Sequence, residues 1–406
     1  MQREPVTTPI APEAGREIFV SLEEARKSLC QFANTHSRST GVVRPRYARS
    51  ARITSTEDRE TALRILSSNA SRAAALHTYV VEWDIHGRVP GRAGKPWLKP
   101  GEKAPTSMLP PRVLPNLCAL RIRCWESQYI EKDFLGALYR LGGITELHLH
   151  HCTFKTSESL SAILFSLPEL AELTLDSVTW SERKPGCGPP DQFTSPPWCA
   201  KHALALRTLR IRSPCNSGPF FRWLVEQKCV NVQNVELTMF DEDNGRYAAW
   251  YLQHLGNALQ TLVCGLCPRA SGRSPEGDWL HLHYNPNLRA LSIAIYDALP
   301  HYSNWIHKAL ASATRCPLAS VSFSLSLGHH ETLWSKPWEA VHNLLTTNWT
   351  STLREVAVTH HAHWQFVADA TPLFTARFPG LAARGILSVY NVETEDSITT
   401  RPGTYQ

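Results

Sequence analysis

One register of apolar positions recurs along most of the chain: an aliphatic residue, two variable places, a second aliphatic, one variable place and a third. It reads Leu117/Leu120/Ile122, Ile144/Leu147/Leu149, Leu170/Leu173/Leu175, Leu206/Leu209/Ile211, Val232/Val235/Leu237, Leu259/Leu262/Cys264, Leu288/Leu291/Ile293, Leu318/Val321/Phe323 and Leu353/Val356/Val358. Successive starts lie 27, 26, 36, 26, 27, 29, 30 and 35 residues apart. Alternate side chains of an extended segment point to opposite faces, so the second and third aliphatics face a core together. Residues two, four and six places after each start then face away from it.

Between these strands apolar residues return at helical spacing. One stripe is Phe134, Leu135, Leu138 and Leu141, and the next is Leu160, Ile163, Leu164 and Leu167. Phe220/Phe221/Leu224/Val225, Tyr247/Trp250/Tyr251/Leu255, Trp305/Ile306/Ala309/Leu310 and Trp338/Val341/Leu344/Leu345 follow. The row of Trp250, Trp305 and Trp338 is assigned to core packing rather than to a ligand platform, because its spacing is helical. Upstream, Ala62, Leu63 and Leu66 share a helical face and residues 79–85 form a strand pattern, which makes a first, degenerate unit.

A strand-plus-helix unit of this length cannot bury its apolar face alone, so neighbours must stack. The spacing is a leucine-rich-repeat signature. It predicts an α/β fold: a leucine-rich-repeat-like solenoid over residues 58–393, with parallel strands on the concave face and helices on the convex face. Proline and glycine punctuate residues 87–111 and 181–200, which read as loop insertions. Residues 1–57 form a polar, partly disordered N-terminal segment, and 394–406 a C-terminal tail.

Composition narrows the function classes. An apolar fraction of 43% and a charged fraction of 19% suit a chain with a real core, and the net charge of +6 is too modest to mark a nucleic-acid binder. The first 25 residues hold no apolar run of signal-peptide type, and no stretch of about 18 apolar residues occurs elsewhere. Eleven cysteines without a secretion signal read as reduced thiols, so a cytoplasmic or nuclear location and no membrane association are expected.

The outward strand positions are charged in the first half of the repeats and small or weakly polar in the second. Arg121, Arg123, Glu146, His148, His150, Asp176, Arg210, Arg212 and Glu236 are therefore the candidate partner-binding residues, with an acidic segment fitting between the two arginine pairs. A solvated strand face without a partner is the alternative. Cys264-Gly-Leu-Cys267 resembles a redox or zinc half-site, yet Cys264 takes the third aliphatic place. Cys267 and Cys152 both stand eight places after a start, where such repeats bond loop backbone; both read as structural.

Histidines at 150–151, 329–330, 360–361 and 363 lack metal-helix spacing. The basic stretch of Arg38, Arg44, Arg46, Arg49 and Arg52 reads as solvated linker, and Asp241-Glu242-Asp243 as a surface turn. No phosphate loop, metalloprotease helix or nucleophile elbow occurs. No catalytic residue, metal or cofactor is assigned, and the expectation is a non-enzyme.

Several segments together carry a resemblance: Arg64-Ile-Leu-Ser-Ser68 leading to residues 79–83, Leu114-Pro-Asn-Leu117, residues 164–175 ending in Val178-Thr-Trp180, and Asn285-Pro-Asn-Leu-Arg289. Over residues 58–390 the chain resembles the fungal F-box proteins with C-terminal leucine-rich-like repeats. The resemblance implies repeats that select a protein for ubiquitylation and an N-terminal F-box docked on a Skp-family adaptor and cullin. The Leu-Pro opening of that box is not visible in residues 1–57, where Leu29-Cys30-Gln-Phe32 and Arg46-Tyr47-Ala-Arg49 are the candidate remnant. A free-standing repeat scaffold without a ligase link is the second expectation, and a basic nucleic-acid adaptor a distant third.

Overall fold

The computed structural model describes residues 50–53, 82–86 and 116–393, the last span apart from 128–131, 155, 181–203, 213–216, 241, 267–279, 296–301, 328–336 and 363–370. Twelve strands form one parallel sheet in chain order. They are β1 (Ser50–Ile53), β2 (Glu82–His86), β3 (Ala119–Arg123), β5 (Glu146–His150), β7 (Glu172–Asp176), β9 (Thr208–Arg212), β10 (Asn234–Phe240), β11 (Thr261–Leu266), β12 (Ala290–Ile295), β13 (Ser320–Leu327), β14 (Glu355–Ala362) and β15 (Leu387–Glu393). Three two-residue strands, β4 (Glu126–Ser127), β6 (Thr153–Phe154) and β8 (Thr179–Trp180), form a second parallel sheet. The result is a repeat-like α/β fold.

The apolar register sets the pairing. Leu120, Leu147, Leu173, Leu209, Val235, Leu262, Leu291, Val321 and Val356 align across neighbouring strands, and two places on so do Ile122, Leu149, Leu175, Ile211, Leu237, Cys264, Ile293, Phe323 and Val358. Every one of these side chains is buried. Burying such an aliphatic is worth roughly 1.5–3 kcal/mol before chain entropy is counted. A slip of one residue would turn both rows outward, so the register is tightly specified.

A backbone device repeats at the start of each strand of the large sheet from β5 to β14. The N–H groups of Thr145 and Glu146 both donate to the Cys118 carbonyl, at 2.8 and 2.9 Å. Ala171 and Glu172 do the same to Thr145, Arg207 and Thr208 to Ala171, and Gln233 and Asn234 to Arg207, and the series runs on to Arg354 and Glu355 on Ala319. The step from Ala171 to Arg207 keeps this geometry although it is the longest in the series.

Helices Lys132–Arg140, Ser157–Phe165, Gly218–Glu226, Glu242–Leu255, Tyr302–Ser312 and Pro337–Asn348 join the strands into one hydrophobic cluster. The predicted stripes at 134–141, 160–167, 220–225, 305–310 and 338–345 pack there, with Leu135, Leu141, Val225 and Leu344 half-buried. The stripe on Glu242–Leu255 is rotated from the predicted one. Ala248, Ala249, Tyr251, Leu252 and Leu255 are buried, whereas Tyr247 and Trp250 are exposed. Core packing therefore holds for Trp305 and Trp338 and not for Trp250: Ala248 and Ala249, with Tyr251, face the core in place of Tyr247 and Trp250.

Other differences lie at the ends. The sheet takes in β1, inside the segment set apart as polar, and β2, Glu82–His86, overlaps the strand pattern at 79–85, whose first three residues lie outside the described ones. At the other end β15 pairs with β14 although its unit lacks the first aliphatic. Arg384 stands three places before Leu387 and donates to the Thr350 and Leu353 carbonyls, while Phe374 and Leu381 from the short helices Thr371–Arg377 and Pro379–Ala383, and Phe378 between them, fill the core. The helical face at 62–66, the insertions at 87–111 and 181–200, the remnant segments within 1–49 and the tail 394–406 lie outside the described residues.

Candidate functional site

The nine candidate residues converge on five adjacent strands. Arg121 and Arg123 come from β3, Glu146, His148 and His150 from β5, Asp176 from β7, Arg210 and Arg212 from β9, and Glu236 from β10. Register places Arg121 beside His148, Arg123 beside His150, His150 beside Asp176, Asp176 beside Arg212 and Arg210 beside Glu236. All nine point away from the apolar core. Eight are half-buried and Arg212 is exposed.

Charge on this face is organised as pairs between units. The Arg210 guanidinium bridges Glu172 at 3.2 Å and Glu236 at 3.7 Å, and Glu236 holds Arg212 at 2.6 Å. Exposed pairs of this kind contribute about 0.2–1 kcal/mol each. The sequence reading leaves Arg210 and Arg212 open to a partner; in the structure carboxylates on both flanking strands already hold them. Glu172, an outward residue not counted among the nine, belongs to the same network. Its 38-residue separation from Arg210 and the 24 residues between Arg212 and Glu236 are single-unit steps, the signal from which the pairing could be found.

His150 Nδ1 lies 2.9 Å from Asp176 Oδ2, and the Ser177 hydroxyl donates to Asp176 Oδ1 at 3.0 Å. Burial works to raise the Asp176 pKa, but the bonds from His150 and Ser177 outweigh it and hold this carboxyl below its usual range. His148 moves further. Burial, and then the positive charges of Arg121, Arg210, Arg123 and Arg212, push its pKa down to about 4. At neutral pH it is a neutral imidazole among four arginines, with Nε2 3.7 Å from Glu146 and no hydrogen-bond partner among the described residues.

Three outward positions, Thr174, Thr208 and Thr238, are almost fully buried beneath longer neighbours. Beyond β10 the row of Arg121 and Arg210 turns to Val263, Ser292, Ser322 and Ala357, and charge returns to the outward face only at Glu355 of β14 among the described residues. The turn after each of β3, β5 and β7 is built alike. Cys124, His151 and Ser177 take φ of 52°, 50° and 53°, a left-handed conformation rare outside glycine. The chain then drops Trp125, Cys152 and Val178 into the core.

Cysteine chemistry follows from that burial. Cys152 Sγ donates toward the Ile122 carbonyl at 3.3 Å, and burial pushes the thiols of Cys152, Cys229 and Cys264 up to about 12 and that of Cys316 to about 11. Such groups are protonated and inert at neutral pH. Cys267, His329, His330 and His363 lie outside the described residues, as do Arg38, Arg44, Arg46 and Arg49. Of the acidic triplet read as a turn, Glu242 and Asp243 instead begin the helix Glu242–Leu255.

Among the described residues no group of three or more His, Cys, Asp or Glu is placed to hold a metal ion. No helix there is long and apolar enough to cross a membrane. What the arrangement offers is a fixed surface of alternating charge. A scan against protein-family models and a search of curated proteins find no match to this chain.

Proposed function

We propose that this chain is a non-catalytic protein-recognition module, a leucine-rich-repeat-like solenoid whose charged strand face docks a partner protein. In the specific form of this reading, it selects substrates for an SCF-type ubiquitin ligase in the cytoplasm or nucleus. The observation that carries the recognition role is the strand face itself. Arg121, Arg123, His148, Arg210 and Arg212 stand in register on a rigid parallel sheet, and no described helix packs on that face. Side chains held by a sheet with their charges ordered in rows suit orientation-specific docking more than chemistry. The ligase link rests on the resemblance of the repeats alone.

Affinity purification of the full chain from its own cell extract, scored by mass spectrometry, tests both parts. Recovery of a Skp-family adaptor and cullin with further proteins supports substrate selection. Specific partners without the adaptor leave a recognition scaffold with no ligase link. No specific partner for the folded chain overturns the recognition role.

A further inference from the structure

The arginine pairs on β3 and β9 stand three strands apart in the sheet order β3-β5-β7-β9. At a strand spacing of roughly 4.8 Å that is about 14 Å. An extended chain advances roughly 3.3–3.6 Å per residue, so four residues cover about the same distance. Four is an even step, so the side chains at both ends of such a segment point to the same face. A chain laid across the strands could therefore set one side chain on Arg121 and Arg123 and another on Arg210 and Arg212.

The ground between the pairs fits a neutral middle. His148 and Thr174 lie in the same row as Arg121 and Arg210. His148 is uncharged at neutral pH, its pKa lowered by burial and then by the four arginines. Glu146 and Glu172 flank this row on the side where the strands begin, which disfavours a third negative charge at the centre. On β9 an incoming anion shares its cations with resident carboxylates. Glu172 and Glu236 both reach Arg210 and Glu236 reaches Arg212 at Nε, and each guanidinium carries five donors to share among acceptors.

We propose that this face binds an extended segment of the partner protein carrying two anionic side chains four residues apart, with an uncharged residue midway between them. Carboxylate and phosphorylated side chains share this chemistry. The inference rests on the recognition reading above and gives that reading a definite ligand.

The test is a peptide array probed with the full chain. Each Gly/Ser peptide carries two glutamates, or in a second series two phosphoserines, separated by one to ten residues. Signal should peak at a separation of four and fall when a glutamate is placed midway. A peak in both series assigns general anion recognition; a peak in the phosphoserine series alone assigns a phosphorylated segment. In Arg123→Glu/Arg212→Glu protein with unchanged circular dichroism the peak should drop at least tenfold, and Arg123→Lys/Arg212→Lys should retain part of it. A flat profile, or a peak indifferent to charge reversal, overturns the inference. If the purified complex keeps its partners while the array is flat, this inference fails and the recognition reading stands.

Discussion

Cys152 Sγ lies 3.3 Å from the carbonyl oxygen of Ile122, one unit back in the chain, and both side chains are buried. The thiol thus ties the turn after β5 to the end of β3, while the backbone carbonyl of Cys152 accepts from Thr179 in the following unit. A thiol pushed to about 12 gives almost no thiolate at neutral pH. Cys152 should resist a disulfide reagent in the native protein and react only on unfolding, while Cys118 and Cys124, both half-buried, react first. Cys152→Ser keeps a donor but buries a more polar group, with an expected loss of about 1 kcal/mol. Rapid native labelling of Cys152, located by peptide mapping, would contradict this arrangement.

Leu147 sits in the middle of the first aligned row, fully buried between Leu120 and Leu173. Leu147→Ala should cost about 2–5 kcal/mol, and Leu147→Asp more, because a carboxylate there has no water and no partner. Units that bury their apolar face only against neighbours lose it together. Hydrogen exchange should show lost protection in β3 and β7 as well as in β5. Exchange confined to β5, or an unchanged melting temperature, would contradict the register.

Nine strands of the large sheet, β3, β5, β7 and β9 to β14, were legible because a single rule, apolar at two alternate places after a leading aliphatic, holds in every one, whereas the two-residue strands β4, β6 and β8 carry no such signal. The strand β15 escapes that rule, since Arg384 occupies the leading place and the core is filled instead by Phe374, Phe378 and Leu381. Helix orientation was less legible for a related reason. Hydrophobic spacing weighs a tryptophan above an alanine, yet on Glu242–Leu255 it is Ala248 and Ala249 that face inward, and the Tyr247 ring lies against the backbone of Gly218. The charged face was found by counting outward positions. Its internal pairing was not, because ion pairs such as Glu172 with Arg210 require two units to be compared at once.

The helix Gly218–Glu226 ends in a tight left-handed turn. Cys229 N–H donates to the Leu224 carbonyl and Lys228 N–H to that of Val225, at 2.8 and 2.9 Å, which is the Schellman pattern. The residue at its left-handed position is Lys228, with φ of 58°, where glycine carries no Cβ penalty. Lys228 is exposed, so its side chain contributes little packing. Lys228→Gly should therefore raise stability by about 0.5–1 kcal/mol in urea unfolding, the relief of strain exceeding the added freedom of the unfolded chain. Lys228→Val should lower it. Equal stability of all three proteins would mean that the turn is not left-handed in solution.

The arginine-ringed histidine makes stability depend on pH. In the unfolded chain His148 protonates near 6.5, whereas in the fold its pKa falls to about 4, chiefly through burial and then through Arg121 and Arg210. Above pH 6.5 it is neutral in both states and has no effect. As pH drops from 6.5 toward 4 the unfolded state takes up a proton that the folded state refuses, so stability declines, by about 2 kcal/mol between pH 7 and 5. Below pH 4 both states are protonated and the loss levels off. Asp176, whose folded pKa is also lowered, adds a decline in the same direction below the ordinary carboxylate range. Replacing His148 with glutamine removes the titrating group, and the urea midpoint of His148→Gln should change much less between pH 7 and 5 than that of the unaltered protein. Parallel declines in the two proteins would place the titration elsewhere and show that the four arginines do not set the state of His148.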